Sequence, residues 1–158
     1  MIGVVLIAHR PLASALAAAA SHVYSCAPER AEDRVRVLDI EPGGDVATAT
    51  AAARAMAREI DDGSGVIVLT DAFGATPGNV ASQLAEPGRV AVVAGVNLPM
   101  LLRVLCYRDG KLADTVDKAL AGGTQGVMQV ATTAVQNQGP GGRTGTQGDD
   151  LARLHHQQ

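Results

Sequence analysis

The chain has 158 residues, about the length of one domain, with a formal net charge of -3 and an isoelectric point near 5.7. Because it has no tryptophan, one phenylalanine and no cluster of lysine or arginine, its composition argues against nucleic-acid binding and against an anionic membrane surface. No segment is long and apolar enough to span a bilayer, and no cleavage-like site follows the first apolar segment. We therefore expect a cytoplasmic protein without a signal peptide.

Four short apolar segments, rich in valine and isoleucine, alternate with segments of helical periodicity. The strands are predicted at residues 2–8, 35–40, 66–70 and 90–96. The first, third and fourth are almost continuously apolar, as expected of strands buried on both faces. This alternation predicts an α/β fold, in which helices cover both faces of a doubly wound, mainly parallel sheet.

The helices are predicted from the spacing of apolar residues and from capping signals. They cover residues 11–25, 45–60 and 112–121, and two more begin at about 77 and 98. Thr76 and Asn97 are the expected N-caps of the last two. Gly122 and Gly123 are expected to end the helix at 112–121, and residues 126–131 are expected to add a short last strand.

The composition changes near residue 132, which separates a predicted domain at 1–131 from a polar tail at 132–158. The tail has too few apolar residues to offset the entropy of ordering, so we expect disorder. His155 and His156 lie in it without preorganised partners, and we expect no metal site and no cofactor. Cys26 and Cys106 are far apart in sequence and lack CxxC spacing, so both are expected to be free thiols.

Ligands of open parallel sheets bind beyond the carboxyl ends of the strands, where His9 and Asp71 are the pair best suited to acid–base chemistry. In a strand order 2-1-3-4 the first and third strands are neighbours, so the two side chains could form a hydrogen bond. In the order 3-2-1-4 they could not. The alternatives are that His9 is only a polar residue at a strand end and that Asp71 only caps a turn.

A carboxylate beside His9 would fix the imidazole tautomer and leave one ring nitrogen as a nucleophile, which suits a histidine that accepts a phosphoryl group. The helix starts near Pro11 and Pro77 are expected to offer backbone N–H groups to a phosphate. Thr76 adds a hydroxyl group, and Gly74, Ala75 and Gly78 permit close approach of the backbone. Nucleotide-binding loops, HExxH and GxSxG motifs are absent from the sequence.

Three segments resemble the mannose-family IIA component of the bacterial phosphoenolpyruvate:sugar phosphotransferase system. They are "VVLIAHRPLASAL", "VIVLTDAFGATPGNVA" and "VAVVAGVNLPMLLRVL", in the same order and spacing as in the family. The resemblance covers about residues 1–131. It implies a phosphotransferase in which His9 is phosphorylated by the carrier protein HPr and passes the group to a IIB component, with Asp71 assisting and Thr76 near the phosphate.

The resemblance also implies the strand order 2-1-3-4, a homodimer that exchanges the short strand after Gly126, and an indirect link to a sugar permease in the membrane. Arg10 departs from the family, which commonly has a small residue after the histidine. Arg10 and Asn97 are therefore candidate contacts for a partner or for the phosphate. "GAT" replaces the commoner "GGS" or "GGT".

Three other interpretations remain open at this point. The chain could be a regulatory module whose phosphorylation state acts on a protein partner without sugar transport. It could be the related phosphotransfer subunit of dihydroxyacetone kinase, although "AGVNLPML" favours the sugar family. It could also be a flavodoxin-like domain that binds a small molecule, if His9 and Asp71 lie too far apart to interact.

Overall fold

The computed structural model describes residues 1–24 and 32–130. In these residues, strands and helices alternate through most of the chain. In chain order the elements are β1 (Gly3–His9), α1 (Leu12–Val23), β2 (Val35–Ile40), α2 (Val46–Ile60), β3 (Val66–Thr70), α3 (Thr76–Ser82), β4 (Val90–Ala94), α4 (Leu98–Tyr107) and α5 (Leu112–Gln125). Residues 1–128 form one compact unit.

The strands form a parallel sheet of order β2-β1-β3-β4. This order confirms the arrangement 2-1-3-4 and excludes 3-2-1-4. His9 lies opposite Ile40 of β2, and Ile7 lies opposite Thr70 of β3. The carboxyl ends of β1 and β3 are therefore side by side, with Asp71 following β3 directly.

The predicted fifth strand is not confirmed. Within the described part of the chain the sheet has four strands, and residues 127–129 have no regular secondary structure. Because an exchanged strand pairs with another chain, its formation stays a prediction.

Helices cover the two faces of the sheet, as the strand pattern predicts. Helices α1, α4 and α5 pack on one face and α2 and α3 on the other. Side chains of β1 alternate between these two cores, with Val4 and Leu6 in the first and Val5 and Ile7 in the second. Ala13, Ala20, Ala53 and other small aliphatic residues fill the helix–sheet contacts.

Helix α5 does not end at the double glycine, which corrects the predicted boundary at residue 121. It continues through Gly122 and Gly123 to Gln125. A Cβ atom at Gly122 would lie 2.4 Å from Cγ of Arg103, and one at Gly123 would lie 2.6 Å from Cε of Met100. The two glycines therefore allow α4 and α5 to pack closely instead of ending the helix.

The two predicted N-caps have different outcomes. Asn97 caps α4, since its Oδ1 accepts a hydrogen bond from the backbone N–H of Met100 at 2.9 Å. Thr76 is not a cap, because α3 begins at Thr76 and the cap residue is Ala75. Gly74, with φ at +82°, turns the chain before Ala75, so the helix starts one residue earlier than predicted.

Cys106 on α4 is disulfide-bonded, so the expected free thiol is wrong at this residue. The expectation rested on distance along the sequence, which does not decide which side chains meet in a fold. Cys26, the predicted tail at 132–158 and its two histidines lie outside the described residues.

Among the described residues, no helix combines the length and apolarity needed to cross a membrane.

Candidate active site at the ends of strands β1 and β3

His9 and Asp71 are in direct contact at the carboxyl edge of the sheet. Nδ1 of His9 lies 2.7 Å from Oδ2 of Asp71, and the same oxygen accepts a hydrogen bond from the backbone N–H of His9 at 2.9 Å. The His9 side chain is 54% exposed, whereas that of Asp71 is 13% exposed. The pair thus combines a held carboxylate with an imidazole that is accessible to another molecule.

Backbone contacts fix the carboxylate of Asp71. Oδ1 of Asp71 accepts a hydrogen bond from the N–H of Ala72 at 2.7 Å. The backbone carbonyl oxygen of Asp71 accepts a hydrogen bond from the N–H of Gly95 at 2.9 Å. The loops after β3 and β4 are therefore linked, and Asp71 is oriented toward β1. The sequence alone does not indicate the contact with Gly95.

These contacts determine the charge of Asp71. Partial burial raises its pKa, but hydrogen bonds from the backbone and ring of His9 and from Ala72 outweigh burial, so the pKa lies below its ordinary value. Asp71 is therefore an ionised carboxylate at neutral pH and can only accept hydrogen bonds. It follows that Nδ1 of His9 carries the proton.

In the neutral form of this imidazole, the other ring nitrogen, Nε2, holds a lone pair. No hydrogen bond within the described residues involves Nε2. A neutral imidazole held through Nδ1–H, with Nε2 unprotonated, is a nucleophile of fixed orientation. The prediction that His9 and Asp71 meet is thus satisfied geometrically.

At the start of α1, two of the backbone N–H groups that were expected to face a phosphate near Pro11 already have a partner. Oδ1 of Asp39 accepts hydrogen bonds from the backbone N–H groups of Ala13 at 3.0 Å and Ser14 at 3.2 Å. Asp39 precedes the last residue of β2, and strand alternation turns its side chain toward α1. A polar residue at a position of β2 that faces a helix was the sequence signal for this contact.

The loop after Asp71 contains the other predicted phosphate-binding residues. Gly74 is exposed, and Ala75 and Thr76 are partly buried at the start of α3. The Thr76 hydroxyl makes no hydrogen bond within the described residues. None of the three forms a hydrogen bond with His9 or Asp71, so their role toward a phosphate stays a prediction.

Gly78 has a structural role that differs from the expected one. A Cβ atom there would lie 2.5 Å from the carbonyl oxygen of Ala72. The missing side chain lets the loop after Asp71 lie directly on α3. Gly78 therefore supports the shape of the loop and is buried beneath it.

Asn97 and Arg10, the last two candidate site residues, form different contacts in the structure. Asn97 links α4 to α5, since its Nδ2 donates to the carbonyl oxygen of Gly123 at 3.0 Å while its Oδ1 caps α4. We do not include it in the proposed site. Arg10 forms an ion pair with Glu41, the residue that follows β2.

No group of three or more potential metal ligands lies together among the described residues.

Comparison with known proteins identifies the family. The family model EIIA-man, described as "PTS system fructose IIA component", matches residues 3–120. The chain belongs to this family. The resemblance found in the sequence is thereby confirmed.

Individual relatives of this IIA chain agree with the assignment. The mannose-specific EIIAB component of Escherichia coli K12 is 30% identical over 112 residues, which are 69% of this chain and 35% of that protein. The fructose-specific EIIA component of Bacillus subtilis is 45% identical over 53 residues, which are 33% of this chain and 36% of that protein. The chain thus spans about a third of the length of these curated relatives.

Solved IIA structures share the fold. The phosphotransferase system component EIIA from Streptococcus agalactiae superposes with a TM-score of 0.71 at 25% identity, covering 84% of this chain and all of that one. A IIA protein associated with the fucose utilization operon of Streptococcus pneumoniae gives a TM-score of 0.70 at 27% identity, covering 82% of this chain and 93% of that one.

Proposed function

We propose that the protein is a phosphocarrier in which Nε2 of His9 accepts a phosphoryl group from phospho-HPr and passes it to a IIB component during sugar uptake. The hydrogen bond between Nδ1 of His9 and Asp71, on an imidazole that is more than half exposed, carries this proposal. Membership of the IIA family supports the donor and acceptor classes. A reaction partner such as HPr would also place the protein in the cytoplasm.

The transfer needs one bond to form and one to break. The Nε2 lone pair attacks phosphorus, the P–N bond to the donor histidine breaks, and its electron pair returns to the donor imidazole. His9 keeps its proton on Nδ1, so its ring becomes cationic when Nε2 bonds to phosphorus. The ionised carboxylate of Asp71 stabilises that positive charge, and the reverse steps deliver the group to the acceptor.

The remaining site residues serve to position the phosphoryl group. We assign this role to the Thr76 hydroxyl and to the backbone of Gly74 and Ala75, which follow Asp71 on the same loop. The reaction exchanges one phosphorylated histidine for another, so positioning and charge stabilisation are the main requirements.

The proposal includes a homodimer. Strand β4 is an edge strand of the described sheet: it pairs with β3 on one side, and on the other side Val90 alone forms a bridge, with Glu86, among the described residues. Val127 and Met128, beyond the end of α5, are 76% and 64% exposed. An open edge and an exposed apolar segment are liabilities in a monomer and suit a strand exchanged with a second chain.

The direct test is incubation with phosphoenolpyruvate, enzyme I and HPr, followed by measurement of acid-labile, base-stable phosphate on the protein. Wild type and His9→Gln are compared with His22→Gln, which alters an exposed histidine on α1. We expect label in wild type and in His22→Gln and none in His9→Gln. An unlabelled wild type, or a labelled His9→Gln, contradicts the proposal.

Adding a mannose-family IIB protein then tests onward transfer. Loss of label from this chain with gain by the IIB protein supports the carrier role. Retention of label on His9 instead favours the regulatory alternative, in which the phosphorylated form acts on a protein partner without feeding transport.

A further inference from the structure

The carboxyl edge of the sheet carries more acidic than basic side chains. We define the edge loops as residues 9–11, 39–45, 71–75 and 95–97. Apart from His9, they contain one cationic residue, Arg10, and four carboxylates, which are Asp39, Glu41, Asp45 and Asp71. A phosphoryl group on His9 would add up to two further negative charges to this edge.

Three of the four carboxylates have fixed tasks. Asp39 accepts from the first N–H groups of α1, Asp45 caps α2 through the N–H of Thr48 at 2.7 Å, and Asp71 holds His9. Only Glu41 has no contact with the backbone of the fold or with His9. Its partner is the guanidinium group of Arg10, whose Nη1 donates to Oε1 of Glu41.

The backbone of Arg10 is held by the sheet, whereas its side chain is exposed. The N–H of Arg10 donates to the carbonyl oxygen of Ile40 at 3.1 Å, which holds the residue directly after His9. The side chains of Arg10 and Glu41 are 61% and 55% exposed. An ion pair this exposed contributes little net stability, so its exchange for a better anion is easy.

A phosphoryl group is a better anion for this guanidinium. It is doubly charged and presents several oxygens to the planar N–H groups of arginine, which bind phosphate in a two-pronged way. Because Asp39 already accepts from the backbone N–H groups of Ala13 and Ser14, these two groups at the start of α1 are not available to a phosphate near His9. Arg10, the residue directly after His9, is the one lysine or arginine in the edge loops.

We propose that Arg10 exchanges Glu41 for the phosphoryl oxygens when His9 is phosphorylated, so that Glu41 holds the guanidinium in the unphosphorylated protein and Arg10 stabilises the phosphorylated one. The Cα atoms of His9 and Arg10 are about 3.8 Å apart, and the long arginine stem spans the rest. This inference rests on the proposed function. It assigns Arg10 as a phosphate-contacting residue and Glu41 as its competitor.

The test measures the equilibrium of phosphoryl exchange with HPr in wild type, Arg10→Gln, Glu41→Gln and the double variant. Arg10→Gln should lower the phosphorylated-to-free ratio by about tenfold, the size expected for a lost charge-assisted contact. Glu41→Gln should raise it about two- to fivefold, because Arg10 no longer has a competing partner. The double variant should match Arg10→Gln.

Two controls separate this mechanism from a general charge effect. Arg36→Gln removes the same charge from another exposed pair, with Glu59, near the opposite end of β2, and should leave the ratio unchanged. Arg10→Lys keeps the charge without the two-pronged geometry and should recover only part of the loss. In wild type, the arginine side-chain nitrogen resonances of Arg10 should shift on phosphorylation.

The outcomes distinguish this inference from the function on which it rests. If wild type accepts no phosphoryl group from HPr, the proposed function itself fails. If wild type and all variants are phosphorylated with equal ratios, only the role of Arg10 is overturned. It is also overturned if Glu41→Gln raises the ratio equally with and without Arg10, since Glu41 would then act on the phosphate directly.

Discussion

The imidazole of His9 gains its proposed reactivity from one carboxylate. Asp71 accepts from both the backbone and the ring of His9, and its lowered pKa keeps it ionised, so the proton is confined to Nδ1. The sequence identifies both residues because polar side chains follow apolar strands. Asp39 was missed, although its place on the helix-facing side of β2 was a signal, and its side chain accepts from two N–H groups of the helix start that we expected to face a phosphate.

Replacing Asp71 by asparagine tests the electrostatic part of this arrangement. Asp71→Asn keeps a hydrogen-bond acceptor near Nδ1 but removes the negative charge that stabilises the phosphorylated, cationic ring. We expect phosphorylation by HPr to slow by about 10- to 100-fold, the effect of losing a charge-assisted hydrogen bond. Rapid-quench kinetics of label incorporation measure the rate.

The matched control for that variant is Asp114→Asn, an exposed carboxylate in the first turn of α5. It should be phosphorylated at the wild-type rate. An Asp71→Asn protein that is folded and as fast as wild type would show that the carboxylate charge has no part in the transfer.

Among the elements, strands are easier to predict from this sequence than helix ends. Strands β1, β3 and β4 are almost continuously apolar in sequence. The carboxyl ends of β1, β2 and β3 differ from prediction by no more than one residue, whereas β4 is shorter, since it ends at Ala94. Helix ends depend on contacts that lie elsewhere in the chain. A pair of glycines often ends a helix, yet α5 continues through Gly122 and Gly123. Residues of α4 lie where the side chains at these two positions would otherwise be.

Valine substitutions on α5 test this explanation. Gly122→Val would place a branched side chain against Arg103 and the carbonyl oxygen of Pro99, so we expect the free energy of unfolding to fall by about 2 kcal/mol. Ala121→Val, at the exposed neighbouring position, should cost only the difference in helix propensity, about 0.5 kcal/mol. Urea unfolding followed by circular dichroism measures both.

Valine has a lower helix propensity than alanine and a higher one than glycine, so propensity alone would make Gly122→Val the less costly change. A larger loss of stability in Gly122→Val than in Ala121→Val therefore reports packing against α4. A Gly122→Val protein as stable as wild type, or more stable, would mean that α5 can move away from α4 at little cost, and the glycines would then need another explanation.

At the scale of the whole molecule, hydrophobic periodicity predicts a parallel sheet with helices on both faces but leaves the strand order open. The choice between 2-1-3-4 and 3-2-1-4 decides whether His9 and Asp71 can meet, and local sequence patterns carry no information on it. The order came from the family resemblance and is confirmed by the pairing of β1 with β3. The exchanged strand likewise depends on a second chain, which a single sequence does not describe.

Charges introduced after α5 test the proposed dimer. The double variant Val127→Asp/Met128→Asp places carboxylates in the exposed apolar segment that we expect to pair with the partner. Wild type should elute as a dimer and this variant as a monomer in size-exclusion chromatography with light scattering. Gln125→Asp, at an exposed position of α5, should remain dimeric.

A monomeric wild type, or a double variant that stays dimeric, would contradict the exchange of this segment. Neither result would alter the geometry of His9 and Asp71, which lies entirely within one chain.

The most direct measurement is the position of the phosphate on the protein after transfer from HPr. Long-range ¹H–¹⁵N correlation spectra of the phosphorylated, ¹⁵N-labelled chain distinguish the two nitrogens of each histidine ring. Because Asp71 holds Nδ1–H, we predict phosphate on Nε2 of His9 with Nδ1 still protonated. Phosphate on Nδ1 of His9, or on any other residue, would contradict the account.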